Sequence, residues 1–184
     1  MKVNIGCGGW PLPGFVNVDN LSTTAADVLA DASQFLPFVD SSIEEVYAGH
    51  FLEHLTLTDA DWFLKECQRV LKPGGVLAVV VPDMRAVLER YVNGKEQLVE
   101  FIPSSVSGRV WVNTTDLDDV CAGFIYSTLQ ESQHRHCYDS VTLRRKLERS
   151  GFTVEKEINR WFDPHIPVGA WYQCGWYARK AWAT

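Results

Sequence analysis

The stretch Val3-Asn4-Ile5-Gly6-Cys7-Gly8-Gly9-Trp10-Pro11-Leu12-Pro13-Gly14-Phe15 decides the fold of this chain. Val3-Asn4-Ile5 is a short strand pattern that runs straight into glycines, and glycine lets the backbone turn tightly and approach a ligand closely. The turn is not the G-x-G-x-x-G of dinucleotide-binding folds. Gly6-x-Gly8-Gly9 lacks the third glycine, and Trp10-Pro11-Leu12-Pro13 cannot open the helix whose N-terminus would hold a pyrophosphate. Only nine residues separate Ile5 from Phe15, where the next strand pattern begins. Fully extended they span about 30 Å, enough to cross to a neighbouring parallel strand but without a helix. The first crossover is trimmed.

Downstream, short aliphatic runs alternate with segments of helical period. Strands are expected at Phe15 to Asp19, Asp27 to Ala30, Glu45 to Ala48, Val76 to Val81, Phe152 to Ile158 and Tyr172 to Ala181; of these only Val76 to Val81 reads as buried on both faces. A helix is expected over Thr58 to Leu71, with Ala60, Phe63, Leu64, Cys67, Val70 and Leu71 on one stripe. Thr58-x-x-Asp61 serves as its capping box and Pro73-Gly74-Gly75 as its stop. Further helices are expected over Asp83 to Val92, Asp116 to Gln130 and Asp139 to Ser150. The pattern is α/β: a largely parallel sheet with a final antiparallel strand and its ligand at the carboxyl edge.

The chain has 184 residues, 46% of them apolar and 22% charged, which suits a single domain over residues 1–184. Its net charge of −6 has the wrong sign for phosphate-backbone attraction, so nucleic acid is not an expected partner. Val76 to Val81 is the longest purely aliphatic run, far below the roughly 20 residues of a membrane span. The N-terminus turns glycine-rich before a signal-peptide core could form, so a cytoplasmic location is expected. Five cysteines, at 7, 67, 121, 137 and 174, contain no C-x-x-C pair, which argues against a disulfide framework or zinc knuckle.

Just after the expected strand ends lie Gly6-Cys7-Gly8-Gly9, Asp19, Asp31, Gly49-His50 and Pro82-Asp83. Glycines, carboxylates and an imidazole gathered on one edge describe a cofactor cleft. With Val18-Asp19, Asp31-Ala32, Leu36-Pro37-Phe38, His50-Phe51-Leu52-Glu53-His54 and Arg69-Val70-Leu71-Lys72-Pro73-Gly74-Gly75 following Asn4-Ile5-Gly6-Cys7-Gly8-Gly9 in order, about the first 85 residues resemble the class I S-adenosylmethionine (SAM)-dependent methyltransferases, in particular the small type 11 group. The resemblance implies a Rossmann-like fold with a mostly parallel seven-stranded sheet. It implies SAM as cofactor and S-adenosylhomocysteine (SAH) as product, bound by Gly6, Cys7, Gly8, Asp19, Asp31, Ala32, Leu36 and His50. In that reading the amides of Gly6 and Gly8 face the cofactor carboxylate, Asp19 accepts from the ribose hydroxyls, Asp31 accepts from the adenine amine, Ala32 offers its amide and Leu36 packs on the ring. The trimmed first crossover departs from the family.

His50-Phe51-Leu52-Glu53-His54 also spells the H-x-x-E-H of inverted zinc peptidases. The strand that leads into His50 leaves no room for the long zinc-bearing helix, so no metal is expected. His134-Arg135-His136-Cys137-Tyr138 precedes the last helix; extended, its two imidazoles point the same way and suit a metal pair, a base beside a pocket, or simple hydrogen bonding. Strand one starts almost at Met1, so cover for the acceptor is expected from within: an insertion of about residues 93–137, and the loop Arg160 to Ala170 with Trp161, Asp163 and His165, beside Trp171. The expected activity is methyl transfer to an oxygen or nitrogen of a small polar acceptor, with His50, His134 and His136 as candidate bases. A small-molecule acceptor is the expected partner, with no membrane partner and a homodimer left open. A non-catalytic SAM-binding module serving a partner protein, and a zinc hydrolase using His50, Glu53 and His54, are the competing readings.

Overall fold

The computed structural model describes residues 1–22, 25–93, 134–158 and 173–182. Most of the expected 93–137 insertion, the helix expected over Asp116 to Gln130, and Trp161, Asp163, His165 and Trp171 lie outside them.

Seven strands form one sheet: β1 Lys2–Ile5, β2 Val16–Asp19, β3 Val28–Leu29, β4 Ile43–Gly49, β5 Leu71–Pro82, β6 Phe152–Glu157 and β7 Gln173–Lys180. Their order is β3-β2-β1-β4-β5-β7-β6. β1 to β5 pair in parallel, and β7 inserts antiparallel between β5 and β6. The expected seven-stranded sheet with a reversed last strand is therefore found. Three helices are described, α1 Leu57–Val70, α2 Met84–Val92 and α3 Ser140–Arg149, with a single 3-10 turn at Leu52–His54. None of them is long and apolar enough to cross a membrane.

β5 explains why one run is aliphatic throughout. It has β4 on one side and β7 on the other, and Leu77 to Val81 are buried on both faces. Leu77, Val79 and Val81 join Val3, Ile5, Val18, Val46 and Ala48 beneath α1 (Ala60, Phe63, Leu64, Cys67, Val70) and α3 (Leu143, Leu147). Ala78 and Val80 face the other way, onto Tyr47 and Leu12. Leu12 comes from the trimmed crossover, which contains no helix. A buried polar staple holds that crossover instead. Asn4 Nδ2 donates to Asn17 Oδ1 (2.9 Å), which also accepts from the Leu12 amide (2.8 Å), while Asp27 Oδ2 accepts from both the backbone and the side-chain nitrogen of Asn17.

Two helix boundaries differ from expectation. α1 is capped by Thr56, whose Oγ1 accepts from the Asp59 amide and donates to Asp59 Oδ2, so the Thr-x-x-Asp box is Thr56 to Asp59 rather than Thr58 to Asp61. Both spellings occur in the sequence, and Asp61 is taken instead by Lys146 of α3 (2.6 Å). At the other end Leu71 already pairs with Ile43 as the first residue of β5. Pro73-Gly74-Gly75 is thus a bulge within the strand rather than the helix stop, and Gly74 sits there at φ +74° against Trp182.

The chain passes from β1 to β2 in one direction along the sheet and from β4 to β5 in the other. That reversal opens the crevice between the carboxyl ends of β1 and β4, where ligands of open α/β sheets bind.

Candidate functional site

Two groups of residues meet at this crevice. The first is the glycine loop after β1. Gly6 takes φ +67°, and a Cβ there would come within 2.6 Å of the Phe51 ring, so the loop lies directly against the segment that follows β4. Gly8 takes φ +52° with nothing within 4 Å of a would-be Cβ; it turns bare backbone to open space. Asp19 ends β2 nearly buried, its Oδ2 accepting from the Gly8 amide (2.8 Å) and its Oδ1 from the Leu21 amide (2.9 Å). This changes one detail of the expected site. The amides of Gly6 and Cys7 donate to Val18 O and that of Gly8 to Asp19, so the loop spends them on β2 rather than on a ligand carboxylate; Gly9 has no amide partner among the described residues.

Asp31 is exposed at the end of β3. Its Oδ1 holds the Ser33 amide (3.0 Å) and hydroxyl (2.6 Å), and its Oδ2 has no partner among the described residues. Ala32 is buried beside it. Leu36 has no exposed surface and its amide donates to Glu66 Oε2, so its side chain belongs to the core and offers no face to an adenine ring. Arg69 organises this corner, donating to Glu66, to Asp40 and to the carbonyls of Leu36 and Phe38. That explains the charged residue before Val70-Leu71.

The second group follows β4. His50 adopts φ +49°, a left-handed conformation that is costly for a residue with a Cβ and is held only where its surroundings demand it. Here its amide donates to Val80 O, its Nδ1 stands 3.1 Å from Glu53 Oε1, and its Nε2 lies 3.0 Å from Gln173 Oε1 at the start of β7. Both ring nitrogens are thereby engaged. Glu53 is 1% exposed. Burial alone would raise its pKa, but the His50 contact and the nearby imidazoles of His54 and His134 outweigh burial and hold it below the usual glutamate value.

The segment 134–138 is pinned to this turn. The amides of Arg135 and His136 donate to Glu53 O (2.8 and 3.1 Å), and Tyr138 bridges to Asp83 at the end of β5. His134 packs its ring edge-on against His54 at 4.7 Å. Burial pushes its pKa down to about 4, so it is neutral near pH 7. His136, stacked edge-on against Tyr138, is also lowered, by burial and by Lys146. Between them lies a cavity with room for about one water, bounded by Glu53, Pro82, Met84, His134, His136 and Tyr138. The structure thus brings His50, His134 and His136 together around Glu53. The sequence offers Glu53 and His54 as possible zinc ligands only together with His50, and a separation of about 80 residues hides the meeting of Glu53 with His134.

Residues 12–79 match the family model described as Methyltransferase domain. Over that stretch the chain is similar to methyltransferase domains. Solved structures agree at the level of fold. A chain from the complex of the Haloferax volcanii Trm112 methyltransferase activator with its methyltransferase is 14% identical with a TM-score of 0.61, over 98% of this chain and 82% of that one. A SAM-dependent methyltransferase from Thermotoga maritima is 16% identical with a TM-score of 0.59, over 98% and 82%. The [4+2]-cyclase SpnF is 14% identical with a TM-score of 0.59, over 99% and 75%. No curated protein matches the sequence. The chain therefore has the expected Rossmann-like architecture, while the presence of a cyclase among its structural neighbours places the question of reaction on the site residues.

Proposed function

We propose that the chain transfers a methyl group from SAM to an oxygen or nitrogen of a small polar acceptor. The observation that carries this reading is the cradle at the carboxyl ends of β1 to β3: open space over Gly8, with the carboxylates of Asp19 and Asp31 beside it. Each Asp19 oxygen holds one backbone amide and keeps a lone pair for a ribose hydroxyl, and Asp31 Oδ2 is free of protein partners among the described residues. Gly6, Cys7, Gly8, Asp19, Asp31 and Ala32 would hold the cofactor. Bound there, SAM supplies a methyl group already activated on a sulfonium.

The remaining task of the protein is alignment, exclusion of water and, for a hydroxyl acceptor, removal of a proton. Phe51 joins the glycine loop to the His50 turn, so in this reading the acceptor lies on the far side of that turn, with the one-water cavity at its polar edge. His50 is a positioning residue there, because both its nitrogens are bound to Glu53 and Gln173. His134 and His136 line the cavity, and His136, with its pKa lowered, is neutral and ready to accept the acceptor proton. Residues 93–137 and the loop 160–170, with Asp163 and His165, complete the cover in this reading, which treats residues 1–184 as one domain with no nucleic-acid partner and a cytoplasmic location.

The test is transfer of label from methyl-tritiated SAM to a panel of small hydroxyl- and amine-bearing compounds. Labelled product is expected with the native protein, and for a hydroxyl acceptor His136→Ala lowers turnover about 10²- to 10⁴-fold with SAH affinity nearly unchanged. SAH binding with no transfer to any acceptor class would favour the non-catalytic module instead.

A further inference from the structure

The cluster beneath His50 holds a set of donors that proton transfer does not use. One carboxylate oxygen of Glu53 and one ring nitrogen each of His54 and His134 lie within 4.8 Å of one another. Ligand atoms about 2.0–2.2 Å from a common cation stand about 3–4 Å apart, so the set is only slightly wider than a coordination sphere. Glu53 Oε1 and His134 Nε2 are already 3.9 Å apart, too far for a hydrogen bond but a fitting separation for two ligands of one ion.

A second observation points to a missing ligand. Glu53 is 1% exposed, yet its Oε2 has no hydrogen-bond partner among the described residues, and the same holds for the buried Tyr138 hydroxyl on the same cavity. A buried carboxylate oxygen left without a partner is strongly unfavourable, and a bound cation is one of the few groups that compensates it.

We propose that Glu53, His54 and His134 form a binding site for a divalent transition-metal cation, with zinc as the best match. Two imidazoles and a carboxylate suit zinc, whereas magnesium and calcium take oxygen ligands. Three protein ligands leave a coordination position open, and Glu53 and His134 both border the small cavity beside His136. His50 is not a ligand. It stands behind Glu53 and fixes the carboxylate, as outer partners of metal ligands do.

The expectation of no metal rested on the missing peptidase helix. That helix is indeed missing, since 52–54 is a single 3-10 turn, but the third ligand arrives from another segment and does not need it. An oxygen of an acceptor on the open position would be polarised by the cation. This role, and the oxygen-acceptor class it implies, rest on the methyltransferase reading; the cation site does not.

The test uses the full chain, stripped by chelator, then loaded with zinc, dialysed and assayed for bound metal, with cobalt absorption reporting the coordination. About one equivalent is expected. His54→Ala and His134→Ala should each weaken zinc binding by about 100-fold or more, while His136→Ala keeps it. Circular dichroism confirms that the variants are folded; the histidine variants carry the test because Glu53→Gln disturbs a wholly buried position. Zinc retention no greater in the native chain than in the His54→Ala/His134→Ala double variant overturns the proposal, and so does native-like binding in both single variants. SAH is titrated into the same stripped sample. SAH binding without zinc binding removes the metal site and leaves the methyltransferase reading, and zinc binding without SAH binding does the reverse.

Discussion

Alanine at Gly6 and at Gly8 should produce opposite phenotypes, although both glycines sit at positive φ two residues apart. At Gly6 the left-handed conformation costs alanine about 1–2 kcal/mol. The new methyl would meet the Phe51 ring at 2.6 Å, and Phe51 is itself packed against Phe63 at 5.0 Å, so relief requires moving a core aromatic. Overpacking of that kind costs about 1–3 kcal/mol, for a total of about 2–5 kcal/mol. At Gly8 only the backbone cost applies, because nothing lies within 4 Å of the added methyl. There the methyl enters the space assigned to the cofactor. Urea unfolding should show Gly6→Ala as the more destabilised variant, with Phe51→Leu recovering about 1 kcal/mol in a double-mutant cycle. Calorimetry should show Gly8→Ala as the one that loses SAH affinity out of proportion to its stability. Gly8→Ala with native SAH affinity, or Gly6→Ala no less stable than Gly8→Ala, would refute the reasoning.

Arg69→Ala should destabilise by about 2–4 kcal/mol in denaturant titration, because it strips the largely buried Glu66 carboxylate of its charge partner and frees the 36–40 turn. Metal-free protein should lose stability as pH falls from about 6.5 toward 4: His134 is neutral when folded, with a pKa depressed to about 4, so the unfolded chain binds the extra proton in that window. Chemical denaturation at pH 7 and pH 4.5 should differ by about 2 kcal/mol more in the native chain than in His134→Ala. Asn17→Ala should cost about 2–3 kcal/mol, since the Asn4 amide, the Leu12 amide and Asp27 all lose a partner; thermal unfolding measures it.

Periodicity and turn chemistry located the strands because each has a local reason. Val76 to Val81 is aliphatic on both faces for a strand with neighbours on both sides, and the glycines after Ile5 mark a turn whose positive φ at Gly6 and Gly8 favours glycine. The nine-residue connection to Phe15 was legible as a crossover without a helix by length alone. What replaced the helix was not, because the Asn4, Asn17 and Asp27 staple is set by side-chain geometry across two strands. The α1 cap slipped by two residues because Thr56-Leu-Thr58-Asp59-Ala-Asp61 spells the same box twice, and the choice depends on Lys146, which reaches Asp61 from α3. The gathering of glycines and carboxylates at the carboxyl edge of the sheet could be read from residues at strand ends. The glycine-loop amides could not be assigned, since their carbonyl and carboxylate partners come from β2. The convergence of Glu53, His54 and His134 had only the paired imidazoles at 134 and 136 as a signal. Its cause, two amides bonding to the Glu53 carbonyl, is a tertiary contact.

The most direct test of the central claim is calorimetric titration of SAH into the native chain and into Asp19→Ala. The account predicts binding at about one site per chain, weakened about 10- to 100-fold by Asp19→Ala, because the ribose hydroxyls lose their acceptor and the Gly8 amide its anchor. No heat and no thermal shift at millimolar SAH, or unchanged affinity in a folded Asp19→Ala protein, would contradict it.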